Sequence, residues 1–167
     1  MSPSLFFVLH LLSFGVLVTT LLAGFILDRK LRSEKNLDLK IYVGTIARMI
    51  GLLSPLAALL LLLSGIGNIY NRYAGSTISW FQEGWLVAKI MFFALMLLNG
   101  VVYGPKLSRS RMNLLKAIRD QTAPPEAERL LASVNRQLTL FYLVQTVLLL
   151  VILYLSVFGS GKHPGVI

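Results

Sequence analysis

Apolar residues run for helix-length stretches in four places along the chain, and polar residues gather between them. The stretches are Leu5–Leu27, Gly44–Ile66, Gly84–Gly104 and Leu138–Phe158, and together they make up just over half of the 167 residues. About 20 apolar residues are enough to cross the ~30 Å hydrocarbon core as a helix. Backbone groups in lipid must be satisfied within the segment, so the stretches are predicted as helices rather than strands. The expectation is an all-α membrane protein: one transmembrane domain over 1–167, a four-transmembrane-helix bundle. Its connections are 28–43, 67–83 and 105–137.

Finer features of the pattern refine these elements. Pro55 lies in mid-span; it frees a backbone carbonyl near Gly51 and is expected to kink the second helix there. The connection 105–137 splits at Ala123-Pro124-Pro125, with Leu114, Leu115 and Ile118 before it and Leu130, Leu131 and Val134 after it at helical spacing. It therefore reads as extensions of the third and fourth helices joined at the proline pair. The segment Ser79-Trp80-Phe81 is expected as a short helix on the membrane surface. Small residues four apart, Gly100 and Gly104, together with Ser64-Gly65-Ile66-Gly67 and Ala57/Ala58, mark close helix contacts. Such contacts serve either the bundle itself or association with another subunit. The first span lacks a basic leader and a small-residue cleavage site, and so reads as a helix rather than a cleaved signal.

Composition agrees with the pattern: 56% of residues are hydrophobic, 14% are charged and the mean hydropathy is +0.73. A soluble domain averages roughly 25% charged residues. The formal charge of +9 first suggests nucleic acid, but its distribution argues otherwise. Connection 28–43 carries Arg29, Lys30, Arg32, Lys35 and Lys40; connection 105–137 carries Lys106, Arg109, Arg111, Lys116, Arg119, Arg129 and Arg136. Connection 67–83 has Arg72 and the tail has Lys162. The positive-inside rule then sets both basic connections in the cytoplasm and both termini outside, N-out/C-out, as in a bacterial inner membrane. No nucleic acid is expected as a partner; membrane lipids are. Tyr70, Tyr73, Trp80, Phe81 and Trp85 supply an aromatic belt at the other face. There are no cysteines, which excludes disulfides, thiolate metal sites and cysteine nucleophiles.

Three ionisable residues fall inside the spans, where their cost makes them functional candidates. Arg48 stands one turn into the second span and is expected to snorkel to headgroups or to pair with Asp28 or Asp38. His10 and Lys89 each lie about five residues below the outer end of their helices, at one depth. If those helices are neighbours, an imidazole and an amine share one pocket. With two histidines in all, His10 and the tail residue His163, a bundle holding two haems by paired histidines is excluded for a monomer. One haem iron would take His10 plus a further ligand such as Met91, Met96, Lys89, water or a second subunit's histidine. No carboxylate lies inside a span, so cation-coupled transport lacks its usual groups.

Three pieces of the sequence bear a family resemblance. They are Phe6-Phe-Val-Leu-His10-Leu-Leu, Gly84-Trp85-Leu-Val-Ala-Lys89-Ile90, and between them Pro55 followed by Ser64-Gly65-Ile66. Over about residues 5–110 the chain resembles the small four-helix membrane proteins that include HemJ-like protoporphyrinogen oxidases and CopD-like domains. The resemblance implies a haem- or porphyrin-binding protein with tetrapyrrole redox function. It implies haem b as cofactor, His10 as a possible ligand of the haem iron, and Lys89 as a cofactor-binding and catalytic residue. Two other readings stand beside it: a non-catalytic accessory subunit of a larger membrane complex or homo-oligomer, and a small copper or solute transporter.

Overall fold

The structure is a computed structural model that describes residues 3–77 and 79–159. Among the described residues six α-helices form four membrane-length rods. α1 is Pro3–Ser33; α2 (Leu37–Gly51) and α3 (Leu53–Tyr73) make the second rod; α4 (Gly84–Leu98) and α5 (Gly104–Arg119) make the third; α6 is Ala127–Tyr154. All four rods are long and apolar enough to span a bilayer, with mean hydropathy of 2.0–2.4 over their best windows. Only 11–22% of those windows is buried inside the protein, so most of their apolar surface has no protein neighbour. Leu12, Ile26, Leu56 and Leu150 are among the exposed side chains. In water such a surface would be untenable; in lipid it is the normal outer face of a bundle. The protein is an integral membrane protein.

The rods run past the apolar stretches that announce them. α1 continues through Asp28 and Arg32 to Ser33, and α2 starts at Leu37, so the first connection shrinks to 34–36. The reason is local: Asn36 caps α2 by accepting from the amides of Asp38 and Leu39 at 2.9 and 3.2 Å. The expected bend is where Pro55 puts it, since α2 ends at Gly51, the residue whose carbonyl the proline ring displaces. α5 and α6 extend on either side of Pro124-Pro125 as expected. Gln121 closes α5 with a left-handed backbone, φ 56°. The surface helix near Trp80 is one 3₁₀ turn, Trp80–Gln82. Two widened π-helical segments went unforeseen, Asn99–Tyr103 between α4 and α5 and Leu155–Gly159 after α6.

Consecutive rods pack side by side. α1 lies along α3 and α2, α2 touches α5, α5 and α4 lie along α6, and α6 lightly closes the ring on α1. The first and third rods thus face each other across a diagonal. Leu17, Ala57, Ala58, Leu61, Met96, Leu149 and Ile152 form the central core, shared by all four rods. A second cluster of Leu31, Met112 and Leu115 closes the end that carries the basic connections. We call this the basic end, and the opposite one, with Trp80 and Trp85, the aromatic end.

The small residues face inward. Gly100 abuts Gln145 and Gly104 abuts Phe141, four residues apart on both α4–α5 and α6. Gly67 abuts Phe6 and Gly65 abuts His10, again four apart on α1. Inside lipid no hydrophobic force separates helix from tail, so close backbone approach of this kind carries the association. At the aromatic end Trp85 gathers three rods. Its indole donates to Glu83 at 2.9 Å, the Arg72 guanidinium stacks on it at 5.7 Å, and Gly159 packs against its Cβ.

Candidate functional site

His10 is held by two small residues of α3. Ser64 is wholly buried, and its hydroxyl lies 2.7 Å from the Leu60 carbonyl and 3.2 Å from that of Leu61. The hydroxyl proton is therefore committed to its own helix backbone. Toward His10 Nδ1, 3.0 Å away, Ser64 Oγ acts as acceptor. The hydrogen-bond network thus assigns the proton to Nδ1 and leaves the lone pair on Nε2. Gly65 supplies the room: a Cβ there would sit 3.4 Å from His10 Cε1. A histidine whose far nitrogen is fixed by a partner is how proteins orient an imidazole toward a metal or an acid.

Lys89 lies on α4, half-buried, and makes no hydrogen bond or ion pair among the described residues. No hydrogen bond joins it to His10 among the described residues. Both residues lie seven positions, or about 10 Å of helix, from the central core: His10 from Leu17 and Lys89 from Met96. The expected common depth is thus present. The neighbouring helices are not, because α1 and α4 stand across the diagonal. In this half of the bundle α1 pairs with α3 and α4 with α6, and the imidazole and the amine belong to opposite pairs.

Arg48 is exposed on α2 without an ion pair among the described residues. Asp28 is not its partner. The Asp28 carboxylate is taken by Arg111 Nη1 through one oxygen and by Arg32 Nη2 at 2.7 Å through the other. Asp28 and Arg111 are each 3% exposed, which makes this a buried ion pair joining α1 to α5. Sequence reasoning missed it. Arg111 sat among the charges assigned to orientation and Asp28 was offered to Arg48, and the one available signal was an acid directly after the first span. Sequence reasoning also missed Gln145, a buried amide of α6 that donates to the Met96 carbonyl at 3.2 Å beside the π-helical segment.

Among the described residues no three His, Asp or Glu side chains converge. His163 and Lys162 lie outside the described residues. No protein-family model matches the chain, and no curated protein and no solved structure matches it either.

Proposed function

We propose that the protein binds haem b or a related porphyrin in the aromatic half of the bundle. One observation carries the reading: Ser64 Oγ stands 3.0 Å from His10 Nδ1, which in the Nδ1–H tautomer leaves Nε2 for a ligand, while across the bundle Lys89 has no counter-ion among the described residues. A free imidazole nitrogen suits a porphyrin iron, and an unmatched ammonium in lipid calls for carboxylates such as the two propionates. The donor set fits the group. His10 would hold the metal, Ser64 would orient His10, and Lys89 would anchor the acidic edge or exchange a proton with the bound ring. Bound haem supplies one-electron redox chemistry. The basic end faces the cytoplasm of a bacterial inner membrane on this reading, which sets the site in the outer half and both termini outside.

The optical spectrum of the purified protein tests it. A Soret band lost in His10→Ala is the expected result. No band in the wild type, or one indifferent to that change, overturns the proposal.

A second reading, an accessory subunit or homo-oligomer, draws on a different observation. Gly15 and Thr19 lie one helical turn apart on the outer surface of α1, and no atom comes within 4 Å of a Cβ added at Gly15. An outward pair of small residues favours the close approach of a further helix. Gly15→Leu should then shift the wild-type complex to the monomer in gentle detergent; a wild-type chain that runs alone, at 18.5 kDa plus detergent, rejects this reading.

A further inference from the structure

A groove opens at the basic end. It has a volume of about 640 Å³ and lies between α6 and the α1–α2 turn. Arg32, Lys40 and Arg136 line it, and no carboxylate does. Arg32 is partly matched by Asp28 from behind, whereas Lys40 and Arg136 have no ion pair among the described residues. Asn135 also lines the groove; its backbone carbonyl accepts from Arg32 Nη2 at 2.6 Å, while its side-chain oxygen is buried and has no donor. The rest of the wall is apolar. Leu31 and Leu115 form its floor, and Leu140 and Leu143 carry it along α6 into the hydrocarbon-facing surface, each 59% exposed.

These features are ordered along the membrane normal. The cations stand just beyond the apolar stretches, and Leu140 and Leu143 stand within one. A soluble phosphate would meet the cations but leave the leucine track unused. An acyl chain alone would leave the cations unmatched. We propose that the groove is a specific site for an anionic glycerophospholipid of the leaflet at the basic end. The phosphate lies among Arg32, Lys40 and Arg136, and a headgroup hydroxyl donates to Asn135 Oδ1. One acyl chain follows Leu140 and Leu143. The proposal does not rest on the porphyrin reading, because the groove lies at the other end of the bundle from His10.

The test uses the full chain, delipidated in a neutral detergent, with native mass spectrometry as readout. Phosphatidylglycerol should be retained about tenfold or more over phosphatidylcholine. Lys40→Gln with Arg136→Gln should abolish that preference, since each charge near the headgroups favours an anionic lipid. Ala132→Trp, which fills the groove without changing charge, should abolish it as well. Lys106→Gln with Arg109→Gln, two cations outside the groove, should preserve it. The proposal is overturned if the groove variants keep the preference, or if the Lys106/Arg109 pair loses as much. It is also overturned if glycerol 3-phosphate, which has the headgroup chemistry but no chains, competes as well as the lipid.

Discussion

The two ends of the bundle treat their charges in opposite ways. At the basic end Asp28 is buried and gripped by two guanidiniums, and the contact ties the first rod to the third. Toward the aromatic end His10 meets a neutral hydroxyl, and Lys89 meets no partner among the described residues. A buried ion pair neutralises its own charges, although Arg111 Nε has no hydrogen-bond partner among the described residues, and what the pair does for the protein is structural. A half-buried imidazole held through one nitrogen and an unmatched amine leave capacity for a further partner. The apolar contacts differ too. Leu31 and Leu115, 2% and 1% exposed, lie where the rods emerge toward water, so each fully buried leucine is worth about 1.5–3 kcal/mol there. The central core, within lipid, has no such driving force and relies on fit. One end is therefore fastened by charge and hydrophobic burial, the other by glycine contacts around polar groups left available.

The largest expected effect breaks the fastened end. Asp28→Ala leaves Arg111 buried without its counter-ion, which should lower stability by about 3–5 kcal/mol. Thermal unfolding in detergent measures it. If Arg111 is a fastening rather than a site, Asp28→Ala combined with Arg111→Met should recover most of the loss, because an apolar pair needs no compensation. Failure of the double variant to recover would mean that the charges serve something beyond fastening.

Ser64→Ala is the matching change in the other half. Stability should move little, because the lost group is one hydroxyl whose nearest acceptors are carbonyls of its own helix. Porphyrin affinity should fall by about 10–100-fold, the usual effect of removing the partner that orients a histidine ligand. Haem titration followed by absorbance reads it. A stability loss as large as that of Asp28→Ala, with affinity unchanged, would erase the contrast between the ends.

Glycine substitutions sharpen the comparison at smaller cost. Gly67→Ala drives a methyl into the rigid ring of Phe6 and should cost about 1–3 kcal/mol, as overpacking does. Gly44→Ala meets Met112 Sδ at 2.5 Å, but that sulfur is on a flexible side chain able to swing aside, so the cost should be smaller. Gly15→Ala meets nothing and gains helix propensity, so the isolated protein should be unchanged or slightly more stable. Melting temperatures should rank Gly67→Ala lowest and Gly15→Ala highest.

The sequence showed the spans, the Pro55 bend and the glycine faces because each is written within one helix. Apolar length, a missing amide and a four-residue spacing are all local signals. The Asp28–Arg111 pair is not local. Its members are 83 positions apart, and in the sequence each looks the same as the surface charges around it. The depth of His10 and Lys89 was legible, since depth follows from counting along a helix. Their placement on opposite helix pairs was not, because the order of rods around a bundle depends on which faces fit. Ser64 stood in a run noted for packing, and only the approach of α1 gives its hydroxyl a second role.

The smallest expected effect concerns the turn that joins the first rod to the second at the fastened end. Glu34 Oε1 accepts from the amides of Lys35 and Asn36 at 2.9 and 3.2 Å. These bonds, that to Asn36 first, hold its carboxyl below its ordinary value of 4.5. A depressed carboxylate contributes stability that is present above the ordinary value and is lost as pH falls through the folded one. The turn should therefore be intact at neutral pH and loosen only below about pH 4.5. Glu34 lies at the surface beside Lys30, its side chain 19% accessible, so solvent screening keeps the effect local. Amide exchange at Lys35 and Asn36, compared with Glu34→Gln at each pH to cancel the intrinsic rate, should show protection in the wild type at pH 7 that vanishes near pH 3. Asp120, held low by its hydrogen bond from Arg119 in the other turn of the same end, should lose its contribution over the same acid range. Protection that persists unchanged to pH 3 would show that the turn is set by the Asn36 cap and the α1–α2 packing alone.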